Sequence, residues 1–449
     1  MKHCLAAACA AALLLTGCGA DKGGDTPAAA AGPATIDYWL WDTAQQPQYQ
    51  ACADAFHKAN PQYTVKITQY GWDDYWNTLT TGFVSGTAPD VFVSHLSQYP
   101  QFASQGQLLP ITDQVKRDKV DLSIYQDGLA DLWVTKDGQR YGLPKDFDTV
   151  AVIYNTKKVK EAGLKPAEMA ELSWNPQDGG TYEKAIAHLT VDKNGKRGDE
   201  PGFDKKHVAT YGLGLNGTGD AFGQTEWSMY AMSNGWNYAD KNPWPTRFNY
   251  ADPKFKETIK WVTSLIDKGY MPNLDIVSSG VGQIDAYGAG KYAMVTEGSW
   301  NTKTYWALKD VKSALAPTPI GPTGKRASLF NGLADNISAN TDNPDAAWAW
   351  VKFLGSPACQ EEIVAKQAIV FPAIKTATVK AEQAFSDAGI DVKPFTTHVE
   401  NGTTHLAPIA EHWAEIKATM TETMESIFAF KSDVNALDQA NATINGLFG

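Results

Sequence analysis

Cysteine is scarce in this 449-residue chain, and none of the five forms a Cys-x-x-Cys pair. That argues against a structural zinc site. Basic residues are outnumbered: 39 Lys and Arg face 50 Asp and Glu, for a formal net charge of -11. No cluster of Lys and Arg reverses the sign locally, so nucleic acid is excluded as a partner. After the first twenty residues, no apolar run approaches the ~20 residues a membrane-spanning helix needs. The Gly-x-Ser-x-Gly turn of serine hydrolases is absent. Gly212 to Gly219 is glycine-rich but lacks the Lys-Ser/Thr of a phosphate loop. The stretch from Asp192 to Asp199 hints at a calcium loop, yet its Gly is misplaced and Phe203 stands where an EF-hand needs Glu. It reads as a surface turn. No metal or cofactor is expected, and no internal repeat is found.

Tryptophan, by contrast, is abundant, with 15 copies. An indole face suits the C–H face of a sugar ring, as it suits other flat or cationic ligands. Apolar residues make up 43% of the chain, which marks it as globular. Without its first segment the body is roughly 415 residues, more than one core comfortably serves, so two domains are expected.

That first segment sets the compartment. Lys2 and His3 precede an Ala/Leu/Cys run from Cys4 to Leu15, the length of a signal-peptide core. Leu15-Thr-Gly-Cys18 then resembles the lipobox of bacterial lipoproteins, which implies lipid on Cys18 and cleavage before it. Gly19 to Pro33 is small and polar, a flexible tether that reaches at most about 50 Å. An extracytoplasmic protein anchored to the membrane is expected. Cys52 and Cys359 remain in the body; they could pair in an oxidising compartment, but two isolated buried thiols are the expectation.

Periodicity gives a strand over Thr35 to Trp41 and a helix through Tyr49, Cys52, Ala53 and Phe56 that stops at Asn60-Pro61. A second strand follows over Tyr63 to Gln69. A helix then runs from Asp73 toward Gly86, and a short buried strand covers Val91 to Ser94. This alternation argues for α/β layers on a largely parallel sheet. Ligands on such sheets sit at strand carboxyl ends, which singles out Trp41, Asp42, Ser94 and His95. Asn343-Pro344 opens a helix that Gly355 ends. From about Pro408 the chain reads as helical, with Ile409, Trp413, Ile416 and Met420 as its inner stripe.

Several motifs occur in a telling order: Ala88-Pro-Asp-Val-Phe92, Gln105-Gly-Gln-Leu-Leu-Pro-Ile111, Tyr141-Gly-Leu-Pro-Lys-Asp-Phe-Asp-Thr149 with Val152-Ile-Tyr-Asn155, Lys291-Tyr-Ala-Met-Val-Thr-Glu-Gly-Ser-Trp300 and Ala346-Ala-Trp-Ala-Trp-Val-Lys-Phe-Leu-Gly-Ser-Pro357. Together they resemble the extracellular solute-binding proteins of ABC transporters, in the large sugar-binding group that includes maltose-binding protein. The resemblance implies a two-lobe periplasmic-binding-protein fold with a ligand cleft and a three-segment hinge. Crossings are expected near Lys145, Ala314 and Phe371. One lobe would then comprise 34–145 and 314–370, the other 146–313 and 371–449, after a signal peptide over 1–17 and a lipidated tether over 18–33. Closure on a carbohydrate would present a loaded shape to the permease subunits of an importer. The receptor is expected to act as a monomer without catalysis.

The resemblance also carries roles residue by residue. Trp41 stands where relatives contact ligand, with Asp42 and His95 as polar contacts. Relatives often hold an aromatic where Ser94 stands. Asp146 and Asp148, two apart on extended chain, share one face. As carboxylates they can accept sugar hydroxyls in charge-assisted bonds. Trp300 is the leading stacking candidate, because Gly298 and Ser299 leave space beside its ring. Trp413 is a second candidate, and Trp227 and Trp236 are less well placed. Asn331 offers donor and acceptor, and Gly332 would let ligand approach the backbone. A glycoside hydrolase would also display aromatics and acids, but Asp146 and Asp148 on one strand face cannot flank a bond from opposite sides. A polyamine remains a rival ligand; a metal or phosphodiester is a weaker one.

Overall fold

The computed structural model describes residues 32–449, so the Cys18 lipobox, the signal segment and nearly all of the tether lie outside the described residues. The first strand, β1 (Ala34–Leu40), leads into a helix over Gln46–Ala59. That helix carries Pro47 in its first turn and buries Tyr49, Cys52, Ala53 and Phe56. Strand β2 (Tyr63–Gln69) returns parallel to β1 in unbroken register. The helix Trp72–Ser85 stops at Gly86, whose φ of 74° is the left-handed cap that only glycine adopts freely. Next comes β3 (Val91–His95), also parallel to β1.

Two sheets organise the rest. The first runs in the order β11-β4-β10-β3-β1-β2, with β12 on β10. Here β4 is Pro144–Asp148, β10 is Ser328–Ile337, β11 is Phe371–Pro372 and β12 is Thr404–Leu406. The second sheet runs β6-β7-β8-β5-β9. Its strands are β5 (Val150–Asn155), β6 (Val191–Asp192), β7 (Val208–Leu213), β8 (Tyr292–Gly298) and β9 (Ser313–Ala316). The expected largely parallel sheet is corrected to a mixed one. Strand β10 runs antiparallel to both β3 and β4, and β5 antiparallel to both β8 and β9. Strands that return from the other lobe enter against the local direction.

Each sheet has its own apolar core, the two-lobe arrangement. Phe147 shows how β4 is oriented: its ring stacks on Phe330 and Phe371, at 5.4 and 5.6 Å between centroids. Each such pair contributes about 0.5–1.5 kcal/mol beyond burial. With Phe147 committed to that side, alternation turns Asp146 and Asp148 to the other.

The crossings fall later than the motifs suggested. The first is Thr149, between β4 and β5. Ala314 still lies within β9, and the return comes only with β10. Past Phe371, the helix Lys375–Asp387 buries Ala377, Ala381 and Phe385 in the first core, and the second core resumes at Ala407. Apolar content alone does not tell which of two cores a strand end joins. The crossings are tied to one another: Val150 N–H donates to Ser328 Oγ at 2.8 Å, and Thr149 Oγ1 donates to the Phe395 carbonyl at 3.0 Å.

Two loose ends of the sequence also resolve. Cys52 and Cys359 are joined in a disulfide, with Cα atoms 5.5 Å apart, so the isolated-thiol expectation is overturned. Spacing could not show this, because 307 residues separate them. Asp192 is buried and spends its carboxylate on the N–H groups of Asn194, Lys196 and Asp204. That is a loop brace of the kind a surface turn needs.

Candidate functional site

The first lobe's wall is aromatic. Trp41, one residue past β1, lies with its ring 5.1–5.3 Å from those of Trp72, Tyr75 and Trp76. Trp72-Asp-Asp-Tyr75-Trp76 puts three rings at helical spacing on the start of one helix, so they cluster at strand level. Trp72 remains 41% exposed, unusual for an indole. His95, at the end of β3, sits 5.8 Å from the Trp72 ring and bonds Ser97 Oγ through Nδ1 at 2.8 Å. Burial first, then the Lys417 charge, push its pKa down to about 3, so it is neutral.

A row of acceptors follows along β4. Asp148 lies opposite Asn331 of β10, whose Nδ2 donates to Asp148 Oδ2 at 3.2 Å. Gln224, from the second lobe, donates to Asp148 Oδ1. Asp146 is 3% exposed, and its Oδ2 has no hydrogen-bond partner among the described residues; neither does Asn331 Oδ1. Burial raises the pKa of Asp146 to about 7, against the pull of Lys145. Burial, then the neighbouring Asp146, raises Asp148 well above the carboxylate range. Asp42 is also raised by burial, although Gln45 Nε2 and two backbone N–H groups donate to it. Behind the row, Lys145 pairs with Asp335 at 3.1 Å.

The second lobe's wall is built at the carboxyl ends of β7 and β8, which are parallel. Glu297, 4% exposed, accepts from Gly298 N–H, Gln283 and Tyr305, and burial raises its pKa. Glu226 lines a narrow cavity with Asn216, Thr225, Gln283 and Thr296, and burial pushes it up to about 7. Trp300 packs against the first lobe's core although it is carried by the second lobe's strand end. Its ring lies directly over Gly298: a Cβ built there would come within 1.9–2.3 Å of three ring carbons. Glycine is needed for space here, since its φ of -83° suits any residue.

The walls meet. Phe222 of the second lobe lies 5.2 Å from the His95 ring. Lys136 pairs with Glu411 at 2.8 Å and sits over Trp244, and Gln101 accepts from Ala414 N–H at 3.1 Å. With Gln224 on Asp148, these contacts hold the lobes closed over the cleft.

This geometry accords with the comparisons. The model of the family described as bacterial extracellular solute-binding protein matches residues 51–389, most of the chain. The chain is a bacterial extracellular solute-binding protein. A binding protein of Brucella abortus is 24% identical over 399 residues, covering 87% of each chain. Maltodextrin-binding protein MdxE of Bacillus subtilis is 24% identical over 353 residues, 78% of this chain and 76% of that one. Among solved structures, an ABC substrate-binding protein of Listeria monocytogenes in complex with cycloalternan has a TM-score of 0.78 at 21% identity, covering 92% of this chain and 98% of that one.

Within this solute-binding protein, the structure brings Trp41, Asp42, His95, Asp146, Asp148, Asn331 and Trp300 to the cleft region. Four expectations are corrected. Trp227 and Trp236 are 0% and 1% exposed, pack edge to face in the second core and donate their N–H groups to the Thr218 and Asn249 carbonyls. Trp413, 2% exposed, lies behind Phe222, and Phe222 is the ring that meets the other lobe. Gly332 faces Leu129 and Leu96, where a Cβ would make ordinary contacts, so no ligand approach requires it. The residues missed are Trp72, Trp76, Phe222, Gln224, Glu226 and Glu297. The Trp-Asp-Asp-Tyr-Trp cluster was a readable signal; Gln224 and Glu226 sit in a loop whose composition carried none.

Proposed function

We propose that this solute-binding protein is a carbohydrate receptor that captures a sugar or oligosaccharide by closure of its cleft and delivers it to an ABC importer. The observation that carries this reading is the pairing of two walls across the closed cleft. Aromatic faces at Trp41, Trp72 and Trp300 suit the C–H faces of sugar rings. Between them the acceptor row of Asp146, Asp148 and Asn331 suits hydroxyl donors. The relatives named as maltodextrin-binding and as complexed with cycloalternan support the same class.

Capture here is an equilibrium between open and closed lobes. Ligand adds contacts to both walls and so favours the closed form, the shape a permease distinguishes from the empty one. The lobes turn on a hinge at Thr149, at the chain between β9 and β10, and at the chain between Phe395 and Ala407, a reading that the sheet memberships support. The receptor acts as a monomer, held at the outer membrane face by lipid on Cys18. Thermal shift against a carbohydrate panel tests the reading, since a ligand that binds only the folded state raises apparent stability. No shift with any carbohydrate, together with a shift by a non-sugar solute, would sink it. Cys18→Ala should move the protein from the membrane fraction to the medium; retention without lipid would refute the anchor.

A further inference from the structure

Around Asp148, where the end of β4 faces β10, acceptor atoms outnumber the side-chain donors that serve them, and carboxylates outnumber cations. Asp148 Oδ1, Asp148 Oδ2 and Asn331 Oδ1 lie on facing positions of β4 and β10, and Asp146 Oδ2 lies two residues along β4, opposite Leu333. Two amide groups, from Gln224 and Asn331, serve Asp148. Asp146 Oδ2 and Asn331 Oδ1 are buried with no partner among the described residues, although each residue is only 3% exposed. Asn331 is paired with Asp148, which touches the opposite lobe, and Asp146 shares the Asp148 face of the strand one step further in.

The charge balance points the same way. Asp335 is matched by Lys145 and Asp220 by Lys417. Among the described residues, no Lys, Arg or His nitrogen comes within 4.0 Å of Asp42, Asp146, Asp148, Glu226 or Glu297, none of which forms an ion pair. A neutral sugar hydroxyl brings one donor and further acceptors, which leaves most of the deficit in place. An ammonium brings three donors, no acceptor and the missing charge.

We propose that the ligand is a saccharide bearing an ammonium group, an amino sugar, seated with that group against Asp146, Asp148 and Asn331. This rests on the carbohydrate reading above and narrows it. Burial raises both carboxyl groups, and a cation beside them favours their ionised form, so the bond to an ammonium carries charge on both partners where a hydroxyl leaves it on one.

The test uses one sugar skeleton in three chemistries, with the whole protein. Short β-1,4-linked glucosamine oligomers, their N-acetylated counterparts and the matching neutral glucose oligomers are titrated by calorimetry. The work is done at about pH 6.5, below the ~7.7–8.0 typical of an α-amino group, so the amine is charged. A parallel series uses glucosamine, N-acetylglucosamine, glucose, maltotriose and spermidine. The free-amine member should bind about tenfold to a hundredfold tighter than its acetylated and neutral partners, the range of a charge-assisted bond. Asp146→Asn and Asp148→Asn should each bring that ratio toward one. Equal or tighter binding of the neutral or acetylated member overturns the ammonium proposal and leaves the carbohydrate reading intact. Binding of spermidine with no sugar bound overturns the carbohydrate reading itself, and binding of nothing in either series overturns the ammonium proposal. An unchanged ratio in both variants, with folding verified by circular dichroism, removes Asp146 and Asp148 as the seat.

Discussion

Gly298→Ala is the sharpest probe of how the cleft is built. The added Cβ would lie 1.9–2.3 Å from three carbons of the Trp300 ring. Ordinary contact is ~3.5–4.0 Å, so ring or strand must move by about 1.5 Å. The strand is the stiffer partner: Val150 of β5 pairs with Gly298, and Ser299 N–H donates to the Thr149 carbonyl at 3.1 Å. The ring should therefore swing away, at an overpacking cost of about 1–3 kcal/mol. Loss of an aromatic face from a stacked ligand costs a similar ~1–3 kcal/mol, roughly ten- to a hundredfold in affinity. Trp300→Ala should show the same loss of affinity with little change in the melting temperature of the empty protein. The decisive comparison is the double variant. If the alanine methyl acts only by pushing the ring, Gly298→Ala should be nearly neutral once Trp300 is alanine, with a coupling energy of about 1–3 kcal/mol between the two sites. Urea denaturation of the four proteins measures the stability arm, and calorimetric titration of a proven sugar measures the binding arm. Additive effects on both would refute the reasoning, because the ring would then not be what the methyl displaces.

Three further outcomes are expected. Cys52→Ser, or reduction, should lower the melting temperature: closing a loop of 307 residues is worth about 5–6 kcal/mol by the loop-entropy relation and ~2–4 in usual practice, and equal melting of oxidised and reduced protein would contradict it. Asp146 is raised to about 7 by burial, so the folded protein holds more protons than the unfolded chain between about pH 4 and pH 7, and this group's contribution to stability falls as pH rises through that window; Asp146→Asn should gain on the parent by on the order of 2–4 kcal/mol between those limits, and a pH-independent difference in melting would rule this out. Gln224→Ala deprives buried Asp148 of its cross-lobe donor, so affinity should fall about tenfold and the ligand-free radius of gyration should rise; unchanged scattering and binding would show that this contact does not hold the lobes together.

Much of the fold was legible because it rests on local rules. The strand Tyr63–Gln69 lies where alternation put it, and Gly86 ends its helix as a left-handed cap. The helix Pro344–Leu354 lies between its Pro and Gly signals. Family motifs carried the two-lobe architecture. What was not legible depends on distant chain. Sheet direction depends on β10 entering from the other lobe, and the Cys52–Cys359 pairing on packing across most of the sequence. Pro408 to His412 precede the last long helix rather than belong to it, because apolar spacing alone does not mark where a helix begins. Trp41, just past β1, and Asp148, at the end of β4, lie at strand ends as periodicity and motif predicted. Trp227 and Trp236 were misjudged because an indole pattern reads the same in a core as in a cleft, and only burial distinguishes them. Gln224, Glu226 and Phe222 lie in a loop, where side-chain direction follows from turns that no periodicity encodes.

Strand β10 lies between β3 and β4, so the centre of the first sheet is supplied by residues 328–337. A chain emerging from its N-terminus has β1, β2, β3 and β4 long before the strand that joins them. Until residue 337 is out, β3 and β4 present bare edges and the first core lacks Leu333, Ala334 and Ile337. The first lobe thus cannot complete itself ahead of the second, and such non-local pairing is slow to form. The same arrangement means that truncation before residue 337 would leave an open sheet rather than a free-standing lobe.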